Sequence, residues 1–145
     1  MWNVAWSWIM LQMRGLKISE ELALLIHTRV ALQNGCAFCA DIAMAQAYQA
    51  RLGMVKFQAL SDWEQATCFS DRERAVLRYV DEINATLEVA DPTFEELRKH
   101  LDEREIAEVT VMNALENYYN RINLPLRIGP DGLLEIQQKR SATAA

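Results

Sequence analysis

Apolar residues recur every three to four positions along most of this chain and almost nowhere alternate, so the pattern predicts helices rather than strands. Ser19 followed by Glu20 and Glu21 reads as a helix start, and Leu22, Leu25, Ile26, Arg29 and Val30 carry that helix to the Asn34-Gly35 break. Beyond the break, Phe38, Ile42, Ala45, Tyr48 or Gln49, and Leu52 repeat at helical spacing. They predict a helix to about Gly53 with Cys36 and Cys39 in its first turn. A short stretch around Phe57 to Trp63 leads to Ser70-Asp71-Arg72-Glu73, a capping-box pattern opening a helix with Val76, Leu77, Val80 and Ile83 on one side. Asp91-Pro92-Thr93 begins another helix. Asp102 to Glu105 is a further acidic start, and Ile106, Val109, Met112 or Asn113, and Leu115 or Glu116 continue it to about Leu124, where Pro125 stops it. The expected fold class is all-α, with five to seven helices. After Gly129-Pro130-Asp131-Gly132, the residues Leu133, Leu134 and Ile136 read at most as a short extended arm, and the polar tail from Gln137 is expected to fray.

At the other end, Trp2, Trp6, Ile9 or Met10, and Met13 form an apolar stripe over residues 2–14. Only Arg14 and Lys17 flank it, against the basic face expected of an interfacial helix, so the stripe is expected to pack on the body of the protein or on a second subunit. With 145 residues and 51% hydrophobic composition, the chain is long enough to bury one substantial core, and residues 1–145 read as a single domain. The formal charge of −5 argues against a phosphate-tracking surface, so nucleic acid is not expected as a partner. Nor is a membrane, since no apolar run approaches the roughly 20 residues needed to span one and no basic leader with a cleavage signal is evident.

Three cysteines are an odd number and a poor fit to a secreted disulfide framework, and the expected compartment is the cytoplasm. Two of them form Cys36-Ala37-Phe38-Cys39, directly after the Asn-Gly turn. Unpaired backbone N–H groups and the helix dipole favour thiolate at such a position, and the pair is suited to a reversible disulfide. Zinc would require two more ligands, yet Cys68, His27 and His100 lack the paired spacing of a structural site. Neither a metal nor another cofactor is expected. Cys68 alone reads as a small buried hydrophobe.

The segments Asn34-Gly35-Cys36-Ala37-Phe38-Cys39-Ala40-Asp41, Phe69-Ser70-Asp71-Arg72-Glu73-Arg74-Ala75 and Asn117-Tyr118-Tyr119-Asn120-Arg121 occur in that order. Together they resemble the carboxymuconolactone decarboxylase and alkylhydroperoxidase D family over roughly residues 20–125. The resemblance implies an alkylhydroperoxidase D-like helical domain that assembles into trimers, hexamers or related homo-oligomers. Members with CxxC resemble thiol peroxidases and disulfide reductases, whereas the lactone decarboxylase branch works without this pair. By the resemblance, Cys39 is the thiol that attacks peroxide and Cys36 the one that resolves the sulfenic acid as a disulfide. The implied partners are a peroxide or disulfide substrate and an unidentified thiol electron donor.

The chain also departs from that family. The family's histidine four residues after the second cysteine falls on Ala43, and its glutamate twelve residues before the first falls on Leu24, so both side chains of the usual proton relay are absent. A general acid or base typically contributes about 10²- to 10⁴-fold in rate. His27 lies one helical turn beyond Leu24 on about the same face and is the candidate substitute; the competing reading is a hydrogen-bonded, partly buried histidine. Asp41 is a poor replacement, because a nearby carboxylate disfavours thiolate. Arg29 reads as a structural ion pair more readily than as a thiol activator, and Asn120 and Arg121 as pins for helix ends or a subunit contact. Two function classes follow: a Cys36-Cys39 oxidoreductase acting on peroxides or disulfides, and a non-catalytic helical oligomer with a sensing or structural CxxC. Lactone or decarboxylation chemistry in the same pocket is a weaker third, since the relay is missing for it too.

Overall fold

The computed structural model describes residues 15–143, so the aromatic stripe at Trp2, Trp6, Ile9 or Met10, and Met13 lies outside the described residues. Among those described there are seven α-helices and one 3₁₀ turn, and no strand. They are α1 (Glu20–Asn34), α2 (Ala37–Gln49), α3 (Met54–Ala59) with the 3₁₀ turn Leu60–Asp62, α4 (Asp71–Thr86), α5 (Asp91–Arg98), α6 (Glu103–Asn123) and α7 (Leu133–Thr143).

The punctuation follows the local chemistry. The Ser19 hydroxyl accepts from Leu22 N–H at the start of α1. Ser70 with Glu73, and Asp102 with Glu105, each form a complete capping box, the side chain and backbone of one residue satisfying those of the other. At the end of α1, Gly35 takes a left-handed conformation (φ 72°), which a residue without Cβ adopts at little cost, and its N–H closes on Ala31 and Leu32 carbonyls. Cys36 N–H also returns to Ala31 O (2.8 Å), so the chain reverses tightly and α2 starts at once.

Helix α1 is the centre of the domain, packing against α2, α4 and α6. Leu22 to Thr28 is an unbroken buried run, which is how a helix covered on all sides reads, without a polar stripe. One face joins Val76, Val80, Leu97, Val109 and Met112 in a core shared with α4, α5 and α6. Another joins Ala43, Ala47, Phe57, Leu60, Trp63 and Leu77. A third, smaller cluster is built on Ala31, Cys36, Cys39 and Ala40.

Two expectations are corrected. Helix α2 stops at Gln49 rather than near Gly53, its end closed by Leu52 N–H on Ala47 O (2.9 Å). The C-terminal segment is neither an extended arm nor a frayed polar tail from Gln137: residues 133–143 form α7, which lies against α2. The physical reason is a cap supplied from elsewhere in the chain. Asp41 on α2 accepts the N–H groups of Leu133 (2.8 Å) and Leu134 (3.1 Å), satisfying two orphan donors and placing negative charge at the positive end of the helix.

Candidate functional site

Cys36 is the N-cap of α2, and Cys39 lies in its first turn. The two are joined as a disulfide with Cα atoms 5.4 Å apart, and Cys39 N–H donates to Cys36 Sγ (3.4 Å). Both are buried, at 2% and 7% exposure, and Leu32, Phe38 and Tyr119 pack against them. Burial, followed by the Tyr118 and Glu116 charges, pushes the Tyr119 phenol above its usual range, which keeps it neutral.

Helix α6 faces the pair with carboxamides. Asn120 Nδ2 donates to Cys39 Sγ at 3.2 Å and Asn123 Nδ2 at 3.3 Å, and both asparagines are buried. Asn120 Nδ2 also donates to Glu116 Oε1 (2.5 Å), whose other oxygen meets His27 Nδ1 at 2.8 Å. A continuous polar chain therefore runs His27, Glu116, Asn120, Cys39. The far imidazole atom, His27 Nε2, is buried without a partner among the described residues.

The positions that depart from the family pattern share one hydrophobic cluster. Leu24 and Ala43, 3% and 4% exposed, lie in it with Leu25, Ala47 and Phe57. Hydrocarbon fills the place of a polar pair, and the polar chain on His27 runs to α6 instead.

Other sequence-selected residues have their polar or packing partners elsewhere than on the cysteine sulfurs. Arg29 forms a two-pronged pair with Asp81 (Nε to Oδ1 2.7 Å, Nη2 to Oδ2 2.8 Å) and donates to the Leu60 carbonyl, in line with a structural role. Asp41 caps α7. Cys68 packs beside the Phe57 and Trp63 cluster, His100 meets Glu96 at 3.3 Å, and Arg121 is exposed. Among the described residues, no group of three or more His, Cys, Asp or Glu is placed to hold a metal ion. No described helix is long and apolar enough to cross a membrane. Glu116 and Asn123 were not singled out from sequence; Asn123, one turn beyond the Asn120-Arg121 motif, carried only the signal of a polar residue on an otherwise buried helical face.

Residues 5–82 match the model of the carboxymuconolactone decarboxylase family. The chain belongs to that family. Two curated proteins are similar to it. The uncharacterized protein YnjA of Escherichia coli is 32% identical over 118 residues, covering 81% of this chain and 65% of YnjA, so the match spans a little under two thirds of that relative. The uncharacterized protein YdfG of Bacillus subtilis is 28% identical over 104 residues, covering 70% of this chain and 71% of YdfG. Among solved structures, a protein of unknown function from Agrobacterium tumefaciens, described as a candidate antioxidant defence protein AhpD, superposes with a TM-score of 0.75 at 30% identity. It covers 79% of this chain and 80% of its own. The debrominase Bmp8, solved with 2,3,4-tribromopyrrole, shares the fold at 18% identity and a TM-score of 0.74, over 85% of this chain and 66% of its own. The family, with its all-α AhpD-like fold, thus holds for this chain together with its CxxC pair.

Proposed function

We propose that the chain is a thiol-dependent oxidoreductase of the alkylhydroperoxidase D-like type, cycling Cys36 and Cys39 between dithiol and disulfide. The observation that carries this reading is the Cys36–Cys39 disulfide in the first turn of α2, with polar donors on Cys39 Sγ. In the oxidative half, the Cys39 thiolate attacks a hydroperoxide: an S–O bond forms, the O–O bond breaks, and the alkoxide leaves as alcohol with the proton that Cys39 released. The Cys36 thiolate then attacks Cys39 Sγ, the S–S bond forms, and hydroxide departs as water with the Cys36 proton. Two thiols of an external donor return the pair to the dithiol and are themselves oxidised to a disulfide. His27, paired with Glu116, is the proton relay in this scheme; Asn120 donates to both Glu116 and Cys39 Sγ and orients the carboxylate rather than carrying a proton. The working unit is a homo-oligomer, a reading supported by exposed Val111, Tyr118, Leu124 and Leu126 on and just after α6.

A second reading, a sensing or structural disulfide without turnover, is favoured by the apolar residues Leu24 and Ala43, both buried in one hydrophobic cluster where the relay side chains are expected. Trapping separates the two. With Cys36→Ser, hydrogen peroxide in the presence of dimedone is expected to give a single adduct on Cys39, and with Cys39→Ser a much slower one on Cys36. Equal, slow labelling of both variants overturns the peroxidase reading and leaves the second.

A further inference from the structure

Cys39 carries two side-chain donors on its sulfur in the oxidised protein, and the orientation of one is fixed by its neighbours. Asn120 accepts at Oδ1 from Asn34 Nδ2 (2.8 Å) and donates at Nδ2 to Glu116 Oε1 (2.5 Å). A flipped carboxamide would set N–H against N–H at Asn34 and oxygen against carboxylate oxygen at Glu116, so the hydrogen-bond network dictates that nitrogen faces Cys39. Asn34 is held in turn by Asn117 Oδ1 (3.0 Å), and Asn117 Nδ2 by Asn84 Oδ1 (2.7 Å). The rigid carboxamide ladder therefore ends on a sulfur atom, which accepts hydrogen bonds weakly when neutral and strongly when charged.

We propose that Asn120 and Asn123 are catalytic residues that receive the negative charge on Cys39 Sγ, with Asn34 and Glu116 as positioning residues that orient Asn120. The proposal deepens the thiol-redox reading and rests on it. When a donor thiolate attacks Cys36 Sγ, a donor-sulfur-to-Cys36 bond forms, the Cys36–Cys39 bond breaks, and its electron pair lands on Cys39, where both N–H groups already point. A second donor thiol, as thiolate, then attacks the mixed disulfide and leaves with the first as an oxidised donor. Each departing cysteine thiolate can take up one of the two donor protons. Donors aimed beforehand at the atom where charge develops need no reorganisation at the moment of reaction. Cys36, as the alternative leaving sulfur, has one longer backbone donor, Cys39 N–H at 3.4 Å. The asparagines thus supply, as neutral donors, part of the thiolate stabilisation that a cationic neighbour supplies at other reactive cysteines. The ionisable groups around Cys39 are Cys36 on α2, Tyr119 and Glu116 on α6, and His27 on α1 behind Glu116; Asp41 is turned to α7.

The test uses the full chain carrying Cys36→Ser and Cys68→Ala, in which Cys39 is the sole remaining thiol. Its ionisation is read by ultraviolet thiolate absorbance and by the pH dependence of iodoacetamide alkylation. Asn120→Leu and Asn123→Leu are each expected to raise the midpoint by about one pH unit, tenfold in the ionisation constant, the scale of one hydrogen bond to a charged group. Asn123→Gln, which keeps a donor, is expected to recover part of the shift. Asn123, at the end of α6 and outside the carboxamide ladder, keeps the test open if Asn120→Leu fails to fold. A second readout, equilibrium with glutathione in the chain with its native cysteines, is expected to move up to tenfold toward the disulfide, about 30 mV for this two-electron couple. Unchanged or lowered midpoints in variants with native helical circular dichroism overturn the proposal. Neither readout involves peroxide, so slow oxidation by peroxide would sink the peroxidase reading alone.

Discussion

Removing Asp81 is expected to be among the most damaging single changes outside the cysteines. Its carboxylate takes both prongs of Arg29 (2.7 and 2.8 Å), the indole N–H of Trp63 (3.0 Å) and Gln33 Nε2 (2.8 Å). Asp81→Ala leaves a guanidinium, an indole and a carboxamide without their acceptor. The two charged side chains keep only 15% and 24% of their surface exposed. Breaking a buried pair by deleting one partner costs about 3–5 kcal/mol, and residual water contact here places the effect near the lower end, about 3 kcal/mol. For a chain of this length, that lowers the thermal midpoint by roughly 6–12 °C. Asp81→Asn keeps an acceptor and loses the charge, so about half that loss is expected. The assay is urea unfolding of the two variants with Arg29→Met and the Arg29→Met, Asp81→Ala double variant, at unchanged m-value. The double variant is expected to lose less than the sum of the singles, because each single strands the other's charge. A loss under about 1 kcal/mol for Asp81→Ala, the range of exposed ion pairs, would refute the reasoning.

Three further outcomes are expected. Burial pushes the Glu73 carboxyl up, but hydrogen bonds from Lys56 and from the Ser70 N–H and hydroxyl outweigh it, so its folded pKa lies below 4.5; the stability it contributes is present above that value and is lost as pH falls through the folded one. Lys56→Met is therefore expected to flatten the acid limb of the stability curve below pH 4.5, and an unchanged limb would contradict this. Asp41→Ala removes the acceptor that starts α7, a helix with no buried residue, and is expected to cost about 1 kcal/mol locally. Limited proteolysis should then cut within residues 130–143 while leaving the disulfide intact, and an unaltered digestion pattern would count against the cap. His27→Ala is expected to slow oxidation of the reduced thiols by peroxide at least tenfold; an unchanged rate with an unchanged thiol ionisation would remove His27 from the mechanism.

Local chemistry in the sequence was enough to place most helix ends. The Ser70 and Glu73 box, the acidic start at Asp102 to Glu105 and the Asn34-Gly35 break each act within four residues, and each appears in the structure at the expected position. Helix α7 was not legible because its cap is Asp41, 92 positions earlier in the chain, and a segment without a local cap or apolar stripe carries no helix signature. The cysteines, Ala43 and Leu24 could be picked out one residue at a time. The carboxamides on Cys39 could not, since they come from 81 and 84 positions away, and only the crossing of α6 over α2 brings them to the sulfur. His27 was singled out by its face of α1, but its partner Glu116, 89 positions away, was not.

The most direct test of the redox account is stopped-flow oxidation of the fully reduced protein by hydrogen peroxide and an organic hydroperoxide, beside Cys36→Ser and Cys39→Ser. The account expects a rate above that of free cysteine that is lost with Cys39→Ser, and one intramolecular Cys36–Cys39 disulfide per peroxide consumed. A rate no faster than free thiol, or oxidation that survives Cys39→Ser, would contradict it.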